Sequence, residues 1–137
     1  MKDKVFLDTN IFVYLYSEDS KGTIVKNLID SEFDNLLLST QVLNELINVL
    51  AYKLKVKTKK ETKEIIQNLL NSFDVSTLTS KMIIRAIDVS MKYKYSYFDS
   101  LMISCALEKG CKILYSEDMQ DNQLIENTLT IVNPFKH

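Results

Sequence analysis

Apolar residues recur along this chain in two rhythms. Residues 4–7 read as a short buried strand, residues 35–38 as a second short apolar run and strand, and residues 73–78, 112–115 and 128–132 as further strands. The stretches between them repeat at three- and four-residue steps instead. Residues 10–16 open a helix, and residues 23–33 carry Ile24, Val25, Leu28 and Ile29 on one side. From Thr40 the stripe Leu43, Leu46, Ile47, Leu50 and Leu54 predicts one continuous helix. Thr58 followed three residues later by Glu61 is a capping box, starting a helix that runs to Leu70. Residues 81–92 form another, with Met82, Ile83, Ala86 and Ile87 as its core stripe. Residues 98–108 form the last, closed by Gly110. Strands separated by helical pairs predict an α/β three-layer sandwich, a mostly parallel central sheet flanked by helices, in one domain over residues 1–137.

In such a sheet ligands gather beyond the carboxyl ends of the strands, and acids stand at those places. Asp8 ends the first strand inside Phe6-Leu7-Asp8-Thr9-Asn10-Ile11, an apolar setting that is costly for a carboxylate unless it is paired or binds a cation. Asp118 follows the strand at 112–115. Asp99 lies three, four and seven residues before Met102, Ile103 and Ala106, on the inner face of a helix start, and Glu45 borders the apolar stripe near Val42 and Val49. Each has an ordinary alternative. Asp8 can cap a helix by accepting from Asn10 or Ile11, Asp99 can complete a capping box with Ser96, Asp118 can be a turn residue and Glu45 a solvated boundary residue. The chain has 18 Asp and Glu residues, so placement rather than number makes these four interesting. Carboxylates brought together repel unless a divalent cation neutralises them.

Composition narrows the chemistry. The two cysteines, Cys105 and Cys111, and the single histidine, His137, are too few for a disulfide framework or a zinc site, so an acid cluster points to a hard cation with oxygen ligands. The formal net charge is −1, which means that a nucleic acid must be met by a local patch. No signal peptide or 20-residue apolar span is visible, and a cytoplasmic protein with no membrane association is expected.

The segments Val5-Phe6-Leu7-Asp8-Thr9-Asn10-Ile11, Val42-Leu43-Asn44-Glu45-Leu46, Tyr97-Phe98-Asp99-Ser100-Leu101-Met102 and Tyr115-Ser116-Glu117-Asp118-Met119 resemble, in order, the motifs of PIN-domain ribonucleases. The length is similar to that of the VapC-like toxins of type II toxin–antitoxin pairs. The resemblance implies a PIN-like sandwich and an endoribonuclease that hydrolyses RNA phosphodiester bonds with Mg²⁺ or Mn²⁺. It implies that Asp8, Asp99 and Asp118 bind the metal, that Glu45 is the fourth catalytic acid and that Thr9, Asn10 and Ser116 support the site. A homodimer and a cognate antitoxin protein are implied in the same way.

RNA contact has its own candidates. Lys53, Lys55, Lys57, Lys59 and Lys60, continued by Lys63, form a basic run that is either a solvated surface or a phosphate grip. Tyr93, Tyr95 and Tyr97 can stack on bases or pack internally. Two other function classes fit less well. An aspartyl-phosphate enzyme wants a second Asp two positions after the first, where this chain has Asn10. A non-catalytic RNA- or protein-binding module of the same fold has no need of the four acids.

Overall fold

The computed structural model describes residues 3–137, so the first two residues of the expected domain lie outside the description. Strand β1 (Val5–Leu7) leads into a short helix α1 (Thr9–Val13) and then α2 (Lys21–Glu32). Strand β2 (Leu36–Ser39) passes directly into α3 (Thr40–Ile47), whose axis continues as a π-helical turn (Asn48–Lys53). Helix α4 (Lys59–Ser72), strand β3 (Asp74–Ser76), helices α5 (Ser80–Tyr93) and α6 (Tyr97–Glu108), and strands β4 (Ile113–Tyr115), β5 (Leu124–Ile125) and β6 (Leu129–Val132) follow.

The sheet order is β3-β2-β1-β4-β6-β5, parallel throughout except for the β5–β6 pair. The chain lays β2 and β3 on one side of β1, then returns to place β4 on the other. The strand order therefore reverses between β1 and β4, where Leu7 pairs with Tyr115. Crevices form at such a reversal because the connections leave in opposite directions. The central strands β1 and β2 are buried on both faces, with Val5, Phe6, Leu7, Leu36, Leu37 and Leu38 in the core, whereas β3, β4, β5 and β6 are buried only in part. Helix α6 is buried over every residue from Ser100 to Ala106.

Local chemistry accounts for the helix starts. Ser39 accepts from Val42 N at 3.2 Å, Thr79 from Met82 N at 3.2 Å, and the Thr58–Glu61 box closes in both directions at 3.0 and 2.9 Å. Gly110 adopts a φ of +72° just past α6, which a side chain resists.

Two expectations change, and one strand goes unforeseen. The single helix expected from Thr40 through Leu54 becomes α3 plus the π turn, and Leu54 at its end stands exposed. Strand β5, only two residues long and antiparallel, falls below the length at which periodicity can be read. The α5 stripe divides: Met82 and Ala86 are core, whereas Ile83 and Ile87 are exposed beside Ile84 and Met91.

Candidate functional site

The acid pocket lies at the strand reversal. Its walls are Asp8, Thr9, Asn10, Val13 and Tyr14 from the end of β1 and α1, Glu45, Val49 and Lys53 from α3 and the π turn, Asp99 from the first turn of α6, and Glu117 and Asp118 from the loop after β4. The cavity holds about 390 Å³. Four acids separated by up to 110 positions thus share one crevice, because three helices and a loop all leave the same edge of a parallel sheet.

Asp8 is the most buried of them, at 5% exposure. Its Oδ1 accepts from Thr9 N at 2.6 Å, so it does cap α1, though not through the Asn10 or Ile11 amides that the sequence suggested. Its Oδ2 accepts from the Ser116 hydroxyl at 2.9 Å. Burial pushes its pKa up to about 7, partly offset by these two bonds and reinforced by the charges of Asp99 and Glu45. Half-buried Glu45 is raised by burial and by Asp99, against a hydrogen bond from Gln41 at 3.2 Å. Asp99 is raised by burial and by Asp118, against its bond to Ser96. Ser96 Oγ accepts from Asp99 N at 3.3 Å and so caps α6. Asp118 is exposed and is held by Asn10 Nδ2 at 3.0 Å.

The three residues expected to support the site lie beside the acids. Asn10 bridges the loop, accepting from Glu117 N at 3.4 Å while donating to Asp118. Ser116 is fully buried under Asp8. The Thr9 hydroxyl, on the pocket wall, is buried with no hydrogen-bond partner among the protein atoms described.

Among the described residues, no three Asp, Glu, His or Cys side chains gather tightly enough to enclose an ion as they stand. Asp118 leans to Asn10 and Glu45 to Gln41, so the carboxylates share a cavity without closing on one point. Carboxylate oxygens, a neighbouring unpaired hydroxyl and room for water nonetheless make a donor set that suits a hard divalent cation held partly through water. Cys105 and Cys111 are buried and free, and burial pushes their thiols up to about 11 and about 12, which removes them as nucleophiles.

One charged pocket residue had no role assigned from sequence. Glu117 sits between the acids, yet both its oxygens are engaged: Oε1 accepts from the Tyr14 hydroxyl at 2.5 Å and Oε2 pairs with Lys21 Nζ. Burial alone would raise its pKa, but Lys21 and Tyr14 together lower it. Lys21 Nζ also lies 5.2 Å from the Tyr14 ring centroid and 4.9 Å from that of Phe135, and the two rings meet edge to face at 5.3 Å. Nothing local in the sequence pairs residues so distant.

The basic run disperses. Lys53 alone of it reaches the acid pocket. Lys59 lies over the Tyr52 ring at 5.1 Å and lines, with Lys63, a separate apolar groove between the π turn and α4. Lys55, Lys57 and Lys60 do not line the acid pocket. Tyr93 and Tyr95 are not free to stack. Tyr93 OH bonds the Glu126 side chain at 2.9 Å and its amide at 3.0 Å, while Tyr95 OH bonds the Gln123 side chain and the Gln120 amide. Tyr97 packs edge-on to Phe98.

Comparison with known proteins gives a consistent picture. The PIN domain family matches residues 5–122. Among solved structures, the sarcin–ricin-loop-cleaving toxin VapC20 of Mycobacterium tuberculosis superposes with a TM-score of 0.71 at 20% identity, over 84% of this chain and 90% of its own. A toxin–antitoxin complex from Klebsiella pneumoniae gives 0.73 at 18% identity, over 96% and 98%. DNA-bound VapBC from Salmonella typhimurium gives 0.71 at 13%, over 95% and 97%. At these identities the likeness is one of fold. No curated protein matches in sequence.

Proposed function

The chain belongs to the PIN domain family, and on that premise we propose that it is a divalent-metal-dependent endoribonuclease, the toxin of a toxin–antitoxin pair. The observation that carries this reading is the convergence of Asp8, Glu45, Asp99 and Asp118, from four separate elements, on one cavity at the strand reversal. The sandwich shared with toxin–antitoxin proteins of several bacteria supports the toxin assignment.

Asp8, Asp99 and Asp118 would hold Mg²⁺ or Mn²⁺, and Glu45 would reach it directly or through water. When bound, the ion supplies Lewis-acid polarisation of an RNA phosphate and an acidified water. The chain's own residues do the positioning. Ser116 and the Thr9 amide fix both oxygens of Asp8, so this carboxylate presents a set direction to the cavity. Glu45, raised by burial and Asp99 and bonded only by Gln41, is suited to take a proton from the attacking water. Asn10 holds Asp118. Glu117, neutralised by Lys21, stays out of the set.

The proposed partners are an RNA substrate, a cognate antitoxin and a second copy of the chain. The exposed α5 face, with Ile84 at 62% and Met91 at 61% exposure beside Ile83 and Ile87, is the surface suited to a homodimer. No helix among the described residues is long and apolar enough to cross a membrane, and the proposed place of action is the cytoplasm. The test is to incubate the purified protein with a mixed RNA pool in Mn²⁺ and in EDTA. Cutting that needs Mn²⁺ and disappears in Asp99→Asn is expected. RNA binding without cutting would favour a non-catalytic module, and full activity of Asp99→Asn would refute the site.

A further inference from the structure

Glu45, Val49 and Lys53 all line the acid pocket, although they straddle the junction between α3 and the π turn. In an uninterrupted α-helix, with about 100° per residue, eight positions would leave Lys53 about 80° round the axis from Glu45. The chain does something else. Leu54 N donates to Val49 O at 2.9 Å, an i→i+5 bond that marks the wider turn. Three α steps followed by five steps of about 82°, the spacing of a turn with about 4.4 residues, bring Lys53 back to within about 10° of Glu45. Val49 falls within about 20° of the same line. The widened turn therefore aligns an acid, an apolar residue and an ammonium in one row along the cavity.

Lys53 is also distinct electrostatically. It is the one basic residue lining the pocket among the described residues, and it makes no ion pair there. Lys21, close behind Glu117, is already engaged. An ammonium that shares its cavity with five acids and pairs with none of them is placed to meet an anion entering between them. We propose that Lys53 contacts a phosphate of the bound RNA strand and that the π turn is the device that aims it. This rests on the nuclease reading. It assigns the phosphate contact to one lysine, not to the whole basic run.

The experiment measures binding of a short fluorescein-labelled single-stranded RNA of mixed sequence, in EDTA, across a salt series. Lys53→Gln is expected to weaken binding roughly threefold to tenfold and to reduce the slope of log Kd against log salt by about 0.7, the loss of one single-strand phosphate contact. Lys109→Gln, at the far end of α6, is the control for mere loss of charge and is expected to change neither. A second variant tests the geometry. Tyr52→Lys added to Lys53→Gln restores binding if the segment is a plain α-helix, because position 52 is then the one aligned with Glu45. It fails to restore binding if the π turn sets the direction. With Mn²⁺, Lys53→Gln should raise KM with little change in kcat, as for contact made equally in ground and transition states. An unchanged salt slope in Lys53→Gln, or rescue by Tyr52→Lys, overturns this inference while leaving the nuclease reading intact. A wild-type protein that neither binds nor cuts RNA overturns both.

Discussion

Replacing Asp8 by Asn should make the metal-free protein more stable at neutral and alkaline pH, while abolishing cleavage. In the folded state burial pushes the Asp8 carboxyl up to about 7, from an ordinary value of 3.8. Between those values the unfolded chain binds fewer protons than the folded one, so stability falls as pH rises from about 4 and levels off above 7. That rise corresponds to a penalty on the order of 4 kcal/mol above pH 7. Asn carries no such penalty. It still offers an oxygen to Thr9 N, but its amide meets the Ser116 hydroxyl, which must turn from donor to acceptor, at a cost of about 1 kcal/mol. The variant should therefore be slightly less stable than wild type at pH 4, and more stable by about 3 kcal/mol at pH 8, on the order of 10 °C in Tm. Urea and thermal unfolding followed by circular dichroism in EDTA from pH 4 to 8.5 measure the gap directly. A gap that does not change with pH, or a variant less stable than wild type at pH 8, would show that Asp8 is not held protonated by burial. Adding Mn²⁺ gives the complementary test. Wild type should be stabilised at pH 8 and the variant much less, with wild-type affinity falling about tenfold per unit below pH 7, where the proton must leave before the ion binds.

Two other substitutions probe the scaffold around the pocket. A Cβ on Gly22 would lie 2.7 Å from the Tyr14 carbonyl oxygen, a backbone atom that cannot swing aside. Gly22→Ala, which helix propensity alone would favour, should instead lower stability in urea by about 1–3 kcal/mol. Tyr14→Phe keeps the ring contacts to Lys21 and Phe135 but removes the hydroxyl from Glu117. It should cost about 1 kcal/mol and weaken Mn²⁺ binding measured by calorimetry, because the loop bearing Asp118 loses one of its anchors; unchanged Mn²⁺ affinity would rule out that coupling.

The sequence by itself determined most of the elements and singled out the candidate acids. Short apolar runs at residues 4–7 and 35–38 marked the central strands, the Thr58–Glu61 box and Gly110 set helix ends by local hydrogen bonding and φ, and the four ordered motifs singled out Asp8, Glu45, Asp99 and Asp118. These are properties of neighbouring residues, so a linear reading reaches them. The tertiary structure decided what depends on distant parts of the chain. Pairing β4 beside β1 makes the strand reversal that gathers the acids. Lys21, Tyr14 and Phe135 take Glu117 out of the acid set although it is Asp118's immediate neighbour. The π turn, which leaves the pattern of apolar residues almost unchanged, brings Lys53 to the cavity and leaves the rest of the basic run elsewhere. Packing on only one side of α5 exposes Ile83 and Ile87, which periodicity had put in the core. Periodicity reports which face of a helix is apolar, but only the assembled neighbours determine how much of that face is covered.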